Sequence, residues 1–151
     1  MSADLITVDL VELDLVAPDR ASGTRLLAER LLAAGRVTDL EGFLADVADR
    51  ELQMPTGLEG GIGIPHCRSA HVTEPTLGFG RSPAGIDFGA PDGPAHLIFL
   101  IAAPAGGGSD HMTILAKLAR KLVHASFTDA LRDASDPQAV VSLINKEVLG
   151  L

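Results

Sequence analysis

A layered α/β domain, with helices packed against a mixed β-sheet, is the fold class this sequence predicts, and three features predict it. Two neighbouring stretches with helical apolar spacing fill residues 18–52. Segments of strand character follow at 61–66, 76–81 and 96–104, and helical spacing returns from residue 109 onward. With 151 residues, a single domain covering 1–151 is expected, since a globule of this size buries roughly 70% of the surface its unfolded chain exposes.

Taken in order, "ITVDLVELDL" alternates apolar and acidic residues and predicts an extended segment near the N-terminus. In "PDRASGTRLLAERLLAAG", Leu27, Leu31 and Ala34 share a helical face, with Asp19 placed to cap the start and Gly35 to stop the helix. A second helix is expected in "TDLEGFLADVADREL", where Leu40, Phe43, Leu44 and Val47 form the apolar stripe. Thr38 or Asp39 would cap it, and it should end near Pro55. Three strands are then expected in "GIGIPH", "TLGFGR" and "HLIFLIAAP"; the uninterrupted apolar run of the last suits a central strand covered on both faces. "SDHMTILAKLARKLVH" sets Ile114, Leu115, Leu118 and Leu122 on one side of a helix. The closing "DPQAVVSLINKEVLG" offers Pro137 for a first turn and Val140, Val141 and Ile144 for the core. No repeat, low-complexity tract or dividing linker interrupts this order, and the glycines and prolines fall mostly between periodic segments.

Composition narrows the function. A net charge of −8, from 20 acidic and 12 basic residues, argues against a nucleic-acid binder, whose affinity rests on Lys and Arg clusters. Steering of a basic protein partner is compatible with it. Cys67 is the only cysteine, so no internal disulfide is expected and a reducing cytoplasm fits. The N-terminus carries Asp4 and Asp9 where a signal peptide would carry basic residues. The longest apolar stretch, "LIFLIAAPA", falls short of the ~20 residues that span a bilayer. A cytoplasmic domain with no membrane insertion of its own is the expectation.

The chemistry centres on "GGIGIPHCRSAH", residues 60–71. Ile62, Ile64 and His66 would share one face of a strand, and Pro65, which cannot donate to a ladder, would end that strand where the imidazole appears. Gly60, Gly61 and Gly63 leave backbone without side-chain bulk, which permits close approach by a ligand or another protein. An ordinary structural histidine beside a glycine turn fits the same spacing. His111 falls in the first turn of a helix, on the face of Leu115 and Leu118, where unpaired N–H groups favour anions; a core histidine is the alternative. Arg50 follows Phe43 and Val47 at helical spacing and would bring a guanidinium to a mostly buried face, or else serve as a solvated arginine complementing the helix dipole.

Other readings fall away. "APAGGGSD" lacks the lysine and the glycine spacing of a nucleotide-binding P-loop. His66, Cys67 and His71 match no zinc pattern, and no metal or other cofactor is expected. Cys67 has no visible base or pKa-lowering group to make it a nucleophile. His71, His96 and His124 are left as structural or surface residues.

Together these segments resemble a known family, the fructose and mannitol type of enzyme IIA domain of the bacterial phosphoenolpyruvate-dependent sugar phosphotransferase system. "GIGIPHCR" is similar to the block around its phosphorylated histidine, "SDHMTILAKLARKL" to the block bearing its second histidine, and "DRELQMPTG" to the segment preceding the first. The stretch from Val72 to His111 looks most like the fructose branch, with Cys67 standing where many members have glycine. The resemblance implies the enzyme IIA type-2 fold and a phosphocarrier. His66 would accept a phosphoryl group from phospho-HPr and pass it to an enzyme IIB domain, supported by His111 and Arg50. It also implies fusion to or association with a membrane enzyme IIC. A regulatory member, whose phosphorylation state is sensed, would share the same His66 chemistry; a binding module that kept only the fold would leave His66 inert.

Overall fold

The computed structural model describes residues 4–53, 55–106 and 110–150, apart from the side chains of residues 110–112. Among them, a 3-10 turn at Val8–Leu10 precedes β1 (Val11–Glu12), α1 (Arg20–Ala33) and α2 (Leu40–Gln53). Five strands follow: β2 (Gly57–Leu58), β3 (Ile62–Gly63), β4 (His66–Ser69), β5 (Thr76–Ile86) and β6 (Ala95–Pro104). The chain closes with α3 (Asp110–Leu122), α4 (Ala125–Asp133) and α5 (Pro137–Glu147). The strands form one sheet in the order β1-β5-β6-β3-β2, with β4 also paired to β6. β1 is parallel to β5, β5 antiparallel to β6, and β3 and β4 parallel to β6, so the sheet is mixed, as expected.

β6 is the central strand its composition predicts: Leu97 to Ala103 are all buried, with strands on both sides. Phe99 meets Phe79 of β5 with ring centroids 5.2 Å apart, a contact worth about 0.5–1.5 kcal/mol beyond its buried area. On the other face of β5, a Cβ on Gly78 would meet Leu31 and one on Gly80 would meet Leu27, so α1 lies directly against bare strand backbone.

The helix ends follow the sequence. Asp19 accepts a hydrogen bond from the Ser22 N–H at 2.8 Å. At the other end of α1, Gly35 has φ +75°. There the Gly35 and Arg36 N–H groups donate to the carbonyls of Leu32 and Leu31, the Schellman closure that glycine permits. Asp39, rather than Thr38, caps α2 by accepting from the Gly42 N–H at 3.2 Å. Asp136 caps α5, with Pro137 in the first turn and Val140, Val141 and Ile144 buried.

Three segments differ from expectation. Residues 6–15 form only a two-residue strand, because the core takes Leu5 with Ile6 and Leu10 with Val11 as adjacent pairs, and a 3-10 turn between the pairs exposes Val8. α4 lies where the sequence suggests no helix; it has no side-chain cap at His124 and is held by Phe127, Thr128 and Leu131 in the core. "GIGIPH" does not end at His66 but splits in two, since Pro65 has no N–H to give the ladder. Ile62 pairs with Leu97 and His66 with Ile101, thirty-five positions on in both cases, so β3 and β4 keep one register along β6. The Pro65 carbonyl still accepts from the Ile101 N–H at 3.0 Å, bridging the break.

The glycines of this region serve the fold instead of clearing an approach. Gly60 and Gly61 have φ +93° and +77°, making the β2–β3 turn. Asp92 accepts from the Gly60 N–H at 2.9 Å, and Arg132 donates to the Gly60 carbonyl. A Cβ on Gly63 would sit 2.8 Å from the Phe88 ring. Gly63→Ala is therefore expected to cost about 1–3 kcal/mol by overpacking, read as a lowered midpoint in urea unfolding.

Candidate functional site

His66 opens β4, whose free edge faces away from β6. Along β4, His66 is half-buried, Cys67 buried, Arg68 exposed and Ser69 buried, the alternation of a strand that packs one face inward. The Ser69 hydroxyl donates to the Asp46 carboxylate at 2.6 Å, tying β4 to α2. A cleft of about 430 Å³ opens here. α2 contributes Asp46, Asp49, Arg50 and Gln53 to its wall, and β4 contributes His66, Cys67 and Arg68. Ile101 and Ala103 of β6 form the floor, and Leu115 of α3 closes one side.

The His66 ring has a defined orientation. Nδ1 lies 2.8 Å from the Ile64 carbonyl oxygen, which can only accept, so Nδ1 carries a proton and, in the neutral ring, Nε2 holds the lone pair. Ile64 is itself held, its N–H donating to the Thr56 carbonyl at 3.1 Å. Arg50 lies in the last turn of α2, half-buried, and has no hydrogen-bond or ion-pair partner among the described residues. The structure thus brings His66 and Arg50 to one cleft. His111 lies one turn before Leu115 in α3, but its side chain is outside the described residues, as are residues 107–109 of the glycine run.

Four polar or charged lining residues escaped sequence reasoning, though spacing marks some of them. Arg68 stands two positions from His66 on the same strand, and Asp46 four positions before Arg50 on the same helix. Gln53, three positions after Arg50, carries the same signal, whereas Asp49 does not. The remaining histidines do other work. His96 Nδ1 donates to the Ser82 carbonyl at 2.8 Å. His71 packs its ring where a Cβ on Gly42 would stand, and its carbonyl accepts from Thr38. His124 is exposed ahead of α4.

Cys67 is no nucleophile. Burial, aided by the charge of Asp46, pushes its thiol up to about 12. Alkylation of Cys67 by iodoacetamide near neutral pH is expected to run about 10²–10³-fold slower than for free cysteine, and to recover in denaturant. Among the described residues, no three His, Cys, Asp or Glu side chains are grouped to hold a metal ion, and no helix is long and apolar enough to cross a membrane.

Comparison with known proteins matches residues 4–147 to a family described as the phosphoenolpyruvate-dependent sugar phosphotransferase system, EIIA 2. The fructose-specific EIIA component of Haloferax volcanii is 43% identical over 116 residues, 76% of this chain and 75% of that protein. The fructose-specific EIIABC component of Bacillus subtilis is 37% identical over 114 residues, 75% of this chain but 18% of that longer protein. Among solved structures, the nitrogen regulatory protein IIA-Ntr of Neisseria meningitidis superposes with a TM-score of 0.85 at 27% identity, covering 93% of this chain and 96% of that one.

Proposed function

The chain belongs to the EIIA type-2 family of the phosphoenolpyruvate-dependent sugar phosphotransferase system, and from that premise we propose that it is a cytoplasmic phosphocarrier. His66 takes a phosphoryl group from phospho-HPr and passes it to an enzyme IIB domain of a fructose permease. The named relatives favour fructose: both are fructose-specific components, and in one of them A, B and C parts share a chain. One carrier domain, residues 1–151, suffices for this role.

The observation that carries the proposal is the His66 ring held by Nδ1 in an open cleft. A neutral imidazole is nucleophilic near pH 7 through its unprotonated nitrogen, here Nε2. Nε2 attacks the phosphorus of the donor's phosphohistidine. The new N–P bond forms as the old one breaks, and the donor ring, protonated on its other nitrogen, leaves with the bonding pair as a neutral imidazole. Positive charge that develops on the His66 ring is met by the Ile64 carbonyl on Nδ1–H. The reverse displacement delivers the group to a IIB cysteine thiolate. Transfer of this kind rests on positioning and electrostatics, and the Arg50 guanidinium is a donor without another partner among the described residues. His111 is proposed as a second support, from the family resemblance and its place one turn before Leu115. Asp46 and Asp49 on the cleft wall suit a basic partner surface.

Incubation with phosphoenolpyruvate, enzyme I and HPr should place an acid-labile, base-stable phosphate on His66, with a phosphorus NMR signal of the Nε2 isomer. No incorporated phosphate, or phosphate on another residue, overturns the proposal. The similarity to a nitrogen regulatory protein supports a second reading, in which the phosphorylation state is sensed and not passed to a permease. Discharge of the labelled protein onto a fructose-type IIB domain separates the two.

A further inference from the structure

Glu51 is a buried carboxylate that the transfer chemistry does not use. One of its oxygens pairs with Arg20 at 3.0 Å, and Arg20 in turn stacks 5.9 Å from the centre of the Phe88 ring. The same carboxylate accepts from the Thr56 hydroxyl and, at 3.4 Å, from the Thr56 N–H. Thr56 is buried too, so neither partner exchanges these bonds for water. The Thr56 carbonyl accepts from Ile64 at 3.1 Å, and the Ile64 carbonyl accepts from His66 Nδ1 at 2.8 Å. Between those points, Gly57 pairs with Gly63, and the Gly57 N–H is satisfied by the Phe88 carbonyl. The carboxylate therefore sits at the head of an unbroken run of hydrogen bonds that ends on the imidazole.

We propose that Glu51 and Thr56 are positioning residues for His66: the buried carboxylate holds Thr56, Thr56 holds Ile64, and Ile64 holds the ring with its proton on Nδ1 and Nε2 toward the cleft. This rests on the reading of His66 as the phosphoryl acceptor for its purpose, but not for its test. Ile64 precedes Pro65, whose nitrogen gives the strand no hydrogen bond. The Thr56 carbonyl therefore supplies fixation for Ile64 at the point where the β3 ladder stops. Without it, the Ile64 carbonyl can turn, and the ring loses the acceptor that selects its tautomer.

The tautomer is read directly from the ring nitrogen shifts of 15N-labelled protein at about pH 8.5, two units above the ordinary imidazole pKa, with His66 assigned by its absence in His66→Gln. Wild type and Thr56→Ser, which keeps the hydroxyl, should both show Nδ1 protonated. Thr56→Val should show averaged shifts from two tautomers. It should also transfer phosphate about 10- to 100-fold more slowly at unchanged KM for phospho-HPr, the scale expected of a misplaced reacting atom. Wild-type shifts in folded Thr56→Val overturn the proposal. If Thr56→Val does not fold, Thr56→Ala, which also removes the hydroxyl that donates to Glu51, decides: mixed tautomers support the proposal and an unchanged ring overturns it. No phosphoryl donor enters the shift measurement, so a wild-type protein that takes no phosphate would refute the carrier and leave this result standing.

Discussion

His66→Gln is expected to fold and to take no phosphoryl group from phospho-HPr, the largest functional effect of any single substitution in the cleft. Glutamine can still donate from its side-chain amide toward the Ile64 carbonyl, which in wild type receives Nδ1–H. A carboxamide nitrogen has no free lone pair to attack phosphorus, so the chemistry is lost while the bond that secures the β3–β4 junction has a substitute. Among the described residues, no neighbour can take over. Cys67 is held as a thiol by burial and by Asp46. His96 and His71 do not line the cleft: His96 stands beside the Gly85 turn, and His71 is packed against α2 at Gly42. Transfer measured with labelled phosphoenolpyruvate should fall below detection, with a melting temperature within a few degrees of wild type. Labelling of His66→Gln at the wild-type rate would move the acceptor elsewhere and sink the assignment.

How much of this was legible beforehand depends on the range of the interaction. Helix ends are local, and Asp19, Gly35 and Pro137 behave as their sequence neighbourhoods demand. The central strand was equally plain, since nothing but burial on both faces suits "HLIFLIAAP". The split at Pro65 was half legible: the proline announces a missing donor, but only the shared register on β6 keeps β3 and β4 collinear. The glycines misled for a related reason. Bare backbone at Gly63 reads as room for a visitor, whereas Phe88, twenty-five positions later, fills that space. α4 was illegible because its helix rests on tertiary contacts of Phe127 and Leu131, with no cap to mark its start.

The site divides along the same line. His66 and Arg50 could be named from motif and helical spacing, but the tautomer could not, since it depends on a carbonyl two residues back whose direction is set through Thr56 and Glu51. Glu51 and Thr56 both lie in "DRELQMPTG", whose family resemblance marks the segment but gives neither residue a role. A glutamate in the last turn of an amphipathic helix reads as solvated until the fold buries it against Arg20.

Arg50→Ala should slow phosphoryl transfer by about 10²–10³-fold, the loss of about 2.7–4 kcal/mol that follows removal of one preorganised donor. The reason lies in what Arg50 lacks. Asp46 and Asp49 share its helix and its cleft, yet the guanidinium makes no bond to either among the described residues, so its charge is available to an incoming anion. It lies in the last turn of α2, where a cation also complements the helix dipole. That alternative role predicts a different result: a stability loss of about 0.3–1 kcal/mol and no change in rate. Arg50→Lys separates charge from shape. A lysine keeps the dipole interaction and a point charge but not the planar fork that binds two phosphate oxygens at once. Its rate should fall between those of wild type and alanine, while its stability stays at wild type. If transfer is a matter of positioning the phosphoryl group, the loss appears in the rate constant at saturating phospho-HPr and KM stays near its wild-type value. Equal transfer rates in wild type, Arg50→Lys and Arg50→Ala would return Arg50 to the helix dipole.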